Sequence, residues 1–311
     1  MEGACVSDET GYTPGMRVAS LVLTGLLGLI QPAQAEEAPC PYAINQAKGP
    51  REVTKGSAEC RAMLAIQDDF LALRKAAGYT DAEVRLGDFI DRADFTDTVA
   101  EFDKERRAIN FVAKALPVMG REQALRRMAI AHELGHAKQL HEGIHPPRAI
   151  PDPSEMRGEE AQADAFGLHL LIAAGFTSET AWDGMAAFYD FLGDAESQED
   201  RNLHPSPGAR FLNIHAFKQP GASVAPGSVK LADFNERGIL RPELWVPQRL
   251  ESARAPTRAA SIADFSRLAI AAAAKLVSSP QTETTLLMMA RTNRGTDLAQ
   301  WVTLKSISAV P

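Results

Sequence analysis

Cysteine is scarce in this chain: three residues in 311, at positions 5, 40 and 60. None stands at the spacing of a cysteine-based metal finger, so that class of small module is excluded. Basic residues form no block. Lys and Arg total 33 against 40 Asp and Glu, a net charge of −7, and nothing matches the basic footprint of a nucleic-acid binder. Long apolar runs are missing too. Val18–Ile30 is a run of 13, interrupted only by Ser20 and Thr24, and is too short to span a bilayer comfortably. No internal repeat and no low-complexity tract occurs, which excludes a repeat array. What is present is 45% hydrophobic residues, enough for one sizeable core or two small ones.

The short apolar run fits a secretory signal. Arg17 is its positive start and Ala33-Gln34-Ala35 its cleavage site, with cleavage expected after Ala35. Retention as an anchor is the alternative. Met1–Gly15, with Glu2, Asp8 and Glu9, is too polar and acidic to precede such a signal, so Met16 is the expected start. No cysteine lies close behind the cleavage site in a lipidation context. Residues 1–35 hold three acids and one base, a net of −2, which leaves −5 on 36–311. The expected address is periplasmic or secreted, with no stable membrane span after cleavage. Cys40 and Cys60 survive processing, and an even pair in an exported chain predicts a disulfide. A closed loop of that size is worth about 3 kcal/mol in the chain-entropy model.

Periodicity predicts a mainly α chain (α+β) with at most a small sheet. Residues 36–56, rich in Pro, Gly and Lys, read as a loop or loosely packed arm. Apolar spacing at Met63, Leu64, Ile66, Phe70, Leu71 and Leu73 predicts a helix over Ser57–Ala77, stopped by Gly78. Ala82–Ala93 reads as a short helix and Arg107–Leu116 as an edge strand. Pro117 and Gly120 are expected to break the chain ahead of a helix over Arg121–His141. Further helices are predicted over Glu155–Ala174, Ser178–Leu192 and Ser206–Phe217. Residues 220–256 read as linker, followed by helices over Ala259–Val277 and Thr282–Ala290. The expected divisions are 1–35 (signal), 36–104 (helical region with the disulfide), 105–219 (the core carrying the chemistry) and 220–311 (a helical region of no assigned role).

The chemistry enters at His132-Glu133-Leu134-Gly135-His136, an H-E-x-x-H run inside the predicted helix 121–141. Residues four apart share a helix face, so both imidazoles can reach one metal ion. Glu133 lies about a quarter turn away, placed to take a proton from water instead of ligating. A site of this kind needs a third protein ligand. The next helix carries Glu160 and Asp164, also four apart. Glu160 can ligate, and Asp164 can accept a hydrogen bond from a liganding imidazole, fixing its tautomer. Glu159 points about 100° away. His141 lies nearly opposite the shared face, His169 falls on the wrong face, and His145 and His215 read as surface or structural. A metzincin pattern needs Gly and His where this chain has Gln139 and Glu142, so that class fails.

A third element follows, His204-Pro205-Ser206-Pro207-Gly208-Ala209-Arg210, or H-P-x-x-x-x-R. Its bland reading is a helix-entry turn with proline at the first position. In order, HExxH, Glu160-x-x-Ala163-Asp164 and HPxxxxR resemble the gluzincin metallopeptidases that include the heat-shock protease HtpX, the CAAX prenyl proteases and their soluble periplasmic relatives. Arg157, three before Glu160, also fits. Met156 departs from the usual serine, and the multiple membrane spans of many members are missing, which points to the soluble branch. The resemblance covers about residues 105–217.

That resemblance implies a gluzincin-like helical domain holding one Zn2+ per chain through His132, His136 and Glu160. Glu133 would be the catalytic acid/base, Asp164 the support behind a ligand, and His204 and Arg210 residues near the cleft, either able to stabilise an oxyanion. It implies an exported zinc endopeptidase acting on protein or peptide substrates, with envelope quality control and envelope partners as its setting. The competing expectation is a zinc-holding binding or chaperone-like module with weak or latent activity. An intact Glu133 favours the enzyme.

Overall fold

The structure is a computed structural model that describes residues 39–91, 98–144, 152–192, 203–218, 224–241 and 244. Its described part is mainly helical with one five-stranded sheet. The expected segments 1–35, 259–277 and 282–290 lie outside the described residues.

The chain opens with a hairpin, β1 (Pro39–Gln46) and β2 (Gly49–Thr54), where a loose arm was expected. Ala47 and Lys48 make a two-residue turn, and Gly49 takes φ 116°, a conformation only glycine adopts cheaply. Pro50 is tolerated because β2 is an edge strand. The prolines and glycine that suggested a loop are therefore the turn and edge chemistry of a hairpin. Helix α1 (Ala58–Ala77) follows, with Ser57 accepting the Cys60 amide at 3.1 Å and Gly78 ending it in the left-handed region at φ 77°. A disulfide joins Cys40 on β1 to Cys60 on α1.

Residues 85–91 form a strand, β3, and not the expected helix. Leu86, Phe89 and Ile90 mimic helical spacing. The register with β5 shifts between Leu86 and Phe89, and this irregularity lets the strand carry a non-alternating pattern. Strand β4 (Ala100–Asp103) and β5 (Ala108–Val112) complete the sheet in the order β2-β1-β3-β5-β4. β5 pairs parallel to β3 and antiparallel to β4, so it is interior, not an edge. All five of its residues are buried, which fits its apolar composition, and the one polar member, Asn110, is satisfied by accepting the Asp88 amide at 2.9 Å. The sheet also crosses the division expected at residue 104, because strands on both sides of it share one core.

Pro117 and Gly120 do not break the chain. They sit inside a short helix, α2 (Leu116–Arg121), with proline in its first turn, where the missing N–H costs nothing. The break falls at Glu122, and α3 (Gln123–His141) begins after it. Then come α4 (Pro153–Ala173), α5 (Ser178–Leu192) and α6 (Pro207–Lys218). Residues 224–241 form a strap with two 3-10 turns, tied down by the Asn213 side chain to the Gly238 carbonyl at 2.7 Å and the Leu240 amide at 2.8 Å. Among the described residues no helix is long and apolar enough to cross a membrane.

Candidate metal centre

Two helices make the centre, and glycines bring them together. A Cβ on Gly135 would stand 2.6 Å from the Ala163 carbonyl oxygen, and one on Gly167 would stand 3.1 Å from the backbone of Ala131 and His132. The backbones of α3 and α4 therefore touch. Helix α4 is enclosed on all sides: every residue from Gly158 to Leu168 is buried, including Glu159, Glu160, Gln162 and Asp164. Four polar side chains in the most buried helix have a large desolvation cost, which is offset only by specific partners.

The partners converge. His132 Nε2 and His136 Nε2 lie 3.1 Å apart. Glu160 meets both, with Oε2 at 3.2 Å from His132 Nε2 and Oε1 at 3.4 Å from His136 Nε2. The ligand atoms of His132, His136 and Glu160 all lie within 4.8 Å of one another. Glu160 Oε2 is buried yet meets no donor at hydrogen-bonding geometry. Two ring nitrogens turned toward each other and an orphaned carboxylate oxygen are what a cation would satisfy, so this group could hold a metal ion.

Behind it, His132 Nδ1 faces Asp164 Oδ1 at 2.8 Å. Asp164 is gripped in turn by Arg210, whose Nε donates to Oδ2 at 2.7 Å and Nη2 to Oδ1 at 2.6 Å. That two-pronged, charge-assisted contact is the strongest geometry available to the pair. Arg210 is itself buried, and the structure places its guanidinium against Asp164, with Nη2 3.5 Å from His132 Nδ1. His136 Nδ1 faces Gln139 Oε1 at 2.9 Å.

Charges confirm how tightly the group is coupled. Burial lowers the His132 pKa, but the hydrogen bond to Asp164 and the adjacent carboxylates of Asp164 and Glu160 outweigh it and raise it to about 10. His136 is likewise raised, its burial overcome chiefly by Glu160, with Glu133 adding to the effect. Burial pushes Glu160 up, yet the charges of His136 and His204 and the close approach of the imidazoles hold it well below the usual carboxylate range. Asp164 is lowered against its burial by Arg210 and His132.

Glu133 is buried, and its Oε2 accepts the Phe102 amide of edge strand β4 at 2.8 Å. The strand thus fixes the carboxylate beside the histidine pair. His204 stands on the more exposed side of the group, with its Nε2 3.6 Å from Glu160 Oε2 and its side chain 36% exposed. The histidines set aside by spacing lie elsewhere: His141 stacks edge-on with Tyr79, and the His169 ring packs where Gly227 passes. His145 is outside the described residues. Arg157 donates to the Glu236 carbonyl at 2.8 Å and so anchors the strap.

Sequence reasoning missed three participants. They are the Phe102 amide, Gln139 and Gln162. The amide has no side-chain signal at all. Gln139 stands one turn after His136, and Gln162 lies between Glu160 and Asp164, so helical spacing could have flagged both.

No protein-family model, no curated protein and no solved structure matches the chain.

Proposed function

We propose that this chain is an exported zinc-dependent endopeptidase of gluzincin type, hydrolysing peptide bonds in protein or peptide substrates. The observation that carries the reading is the convergence of His132, His136 and Glu160 about an orphaned carboxylate oxygen, with Glu133 on the same helix. Imidazole with carboxylate suits zinc among the available divalent ions. The disulfide supports an oxidising address, and the expected signal at residues 16–35 supplies the route.

His132, His136 and Glu160 would hold the metal. When bound, zinc supplies Lewis acidity, which lowers the pKa of water and polarises a carbonyl. Glu133, steadied by the Phe102 amide, takes the proton from the attacking water and returns it to the departing amine. Asp164 orients His132, and Arg210 holds Asp164 ionised. His204, partly exposed beside Glu160, would meet the oxyanion. Arg210 acts from behind, through Asp164.

One observation favours a second reading, a zinc-holding module of latent activity. His204 Nε2 lies 3.6 Å from Glu160 Oε2, so a modest turn of its side chain would bring a fourth donor to the group and close the open position.

The test is casein digestion by residues 36–311 with metal content measured on the same sample. Wild type should hold one zinc per chain and cleave. Glu133→Gln should keep zinc and lose about 10²-fold or more of the activity; full activity in that variant rejects the mechanism. His136→Ala should lose zinc. Zinc without cleavage in wild type, and cleavage unmasked by His204→Ala, selects the latent module.

A further inference from the structure

The two imidazoles are not supported alike. His132 leans on a carboxylate held by an arginine; His136 leans on a neutral amide, Gln139, which is fully buried. An amide can present either end, and which end faces the ring decides which ring nitrogen keeps its proton. The surroundings settle this. Gln139 Nε2 lies 2.6 Å from the Glu159 carbonyl oxygen and 3.0 Å from Gln162 Oε1. A carbonyl oxygen only accepts, so the end facing Glu159 must be the nitrogen. Gln162 repeats the logic, because its own Nε2 lies 3.0 Å from the Val229 carbonyl oxygen, which leaves its Oε1 to accept from Gln139. Two backbone carbonyls, one in α4 and one in the strap, therefore orient both amides. What Gln139 offers His136 is an oxygen, and an oxygen requires a proton on Nδ1. Nε2, the nitrogen turned toward His132 and Glu160, is left with its lone pair for a ligand.

We propose that Gln139 and Gln162, ending on the Val229 carbonyl, are positioning residues for His136: an uncharged relay that fixes its tautomer and ring orientation and thereby sets metal affinity. The proposal rests on the reading of His132, His136 and Glu160 as metal ligands. Neutrality matters here. The centre already buries Glu133, Glu160 and Asp164, and a further carboxylate behind His136 would add uncompensated charge. An amide orients the ring without that cost. It does so only because each of its hydrogen bonds is met, since a half-satisfied buried network is worse than none.

The test uses the folded chain, residues 36–311, in three forms beside wild type: Gln139→Leu, Gln162→Leu and Gln139→Glu. Nitrogen-resolved NMR of the metal-free protein should show the His136 Nδ1 proton as a slowly exchanging resonance, and Gln139→Leu should lose it. Zinc affinity, read by competition with a chromophoric chelator, should fall about 10- to 100-fold in Gln139→Leu. Gln162→Leu, one step further from the ring, should show a smaller loss of the same kind. Gln139→Glu keeps an acceptor toward His136 and should retain the Nδ1 resonance, while its second oxygen, set against the Glu159 carbonyl and Gln162 Oε1, should lower the melting temperature. The visible spectrum of the cobalt-substituted protein should shift in the leucine variants. If wild type carries its His136 proton on Nε2 alone, the relay is wrong. If folded Gln139→Leu binds zinc with wild-type affinity and spectrum, it is wrong as well. Should Gln139→Leu fail to fold, the wild-type resonance and the other two variants still decide. Absence of zinc binding in wild type would remove the metal reading while leaving the NMR result to judge the relay on its own.

Discussion

On the metal-centre reading, a proton and a metal ion compete for the same nitrogen on His132, Nε2. Its folded pKa of about 10 lies above the unfolded value near 6.5. In the metal-free protein the stabilisation it provides is therefore fully present below about pH 6.5 and is lost as pH rises through about 10. Glu160 and Asp164 are depressed, so theirs is present above the usual carboxylate range and lost on acidification. Metal-free protein should melt highest near pH 5 to 6 and progressively lower toward pH 10, as thermal melts across that range would show. Metal uptake has the opposite slope, because the imidazole must give up its proton first. Zinc affinity should climb about tenfold per pH unit, for one proton released, between pH 7 and 9. Chelator competition at several pH values checks this, and a flat profile would mean that the imidazoles are already neutral. Arg210 belongs to the same scale. Arg210→Leu strands a buried Asp164 carboxylate and should cost about 3–5 kcal/mol of stability, read by denaturant unfolding.

At the scale of elements, the α3–α4 contact depends on two residues without side chains. Gly135→Ala places a methyl 2.6 Å from the Ala163 carbonyl oxygen, which is backbone and cannot yield. The helices must part, at about 1–3 kcal/mol, and the carboxylates of α4 move away from the histidines of α3. Both melting temperature and zinc affinity should fall; a variant that loses neither would show that the contact is dispensable. This contact was invisible in the sequence, where Gly135 is only the second unspecified residue of the motif. The helices themselves were legible. Ser57–Ala77 and Ser178–Leu192 fall where they were expected, because each buries one face, and the first is also framed by Ser57 and Gly78 caps. The strands were not. β1 and β2 were hidden by the prolines and glycine of their own turn and edge, and β3 by an irregular register that imitates helical spacing. Spacing did bring His132, His136, Glu160 and Asp164 together, since both pairs are four apart on helices that pack face to face. Gln139 and Phe102 escaped because their roles depend on which backbone carbonyl or amide lies opposite, and that is decided by tertiary packing.

Among the described residues, the sheet and the helices share one apolar core, and specific links fasten its elements together. The Cys40–Cys60 disulfide fastens the hairpin to α1. Asp69 on α1 then reaches α3, the helix of His132 and His136, taking Arg126 Nε at 2.6 Å and Arg127 Nε at 3.0 Å, while Arg126 also donates to the Met119 carbonyl. Opening the disulfide should lower stability by about 3 kcal/mol, on the order of 10 °C for a domain of this size. Melts with and without reductant would show it, and an unchanged midpoint would mean that the hairpin needs no staple. The strap has a consequence of another kind. Synthesis runs from the amino end, so an emerging chain carries both histidines long before Val229 and the Asn213–Leu240 tie exist. On the metal-centre reading, the alignment of His136 waits for the strap to be made. On the peptidase reading, a half-made or clipped product holds the cutting residues without their register, and the order of manufacture itself keeps the nascent protease from attacking its own surroundings.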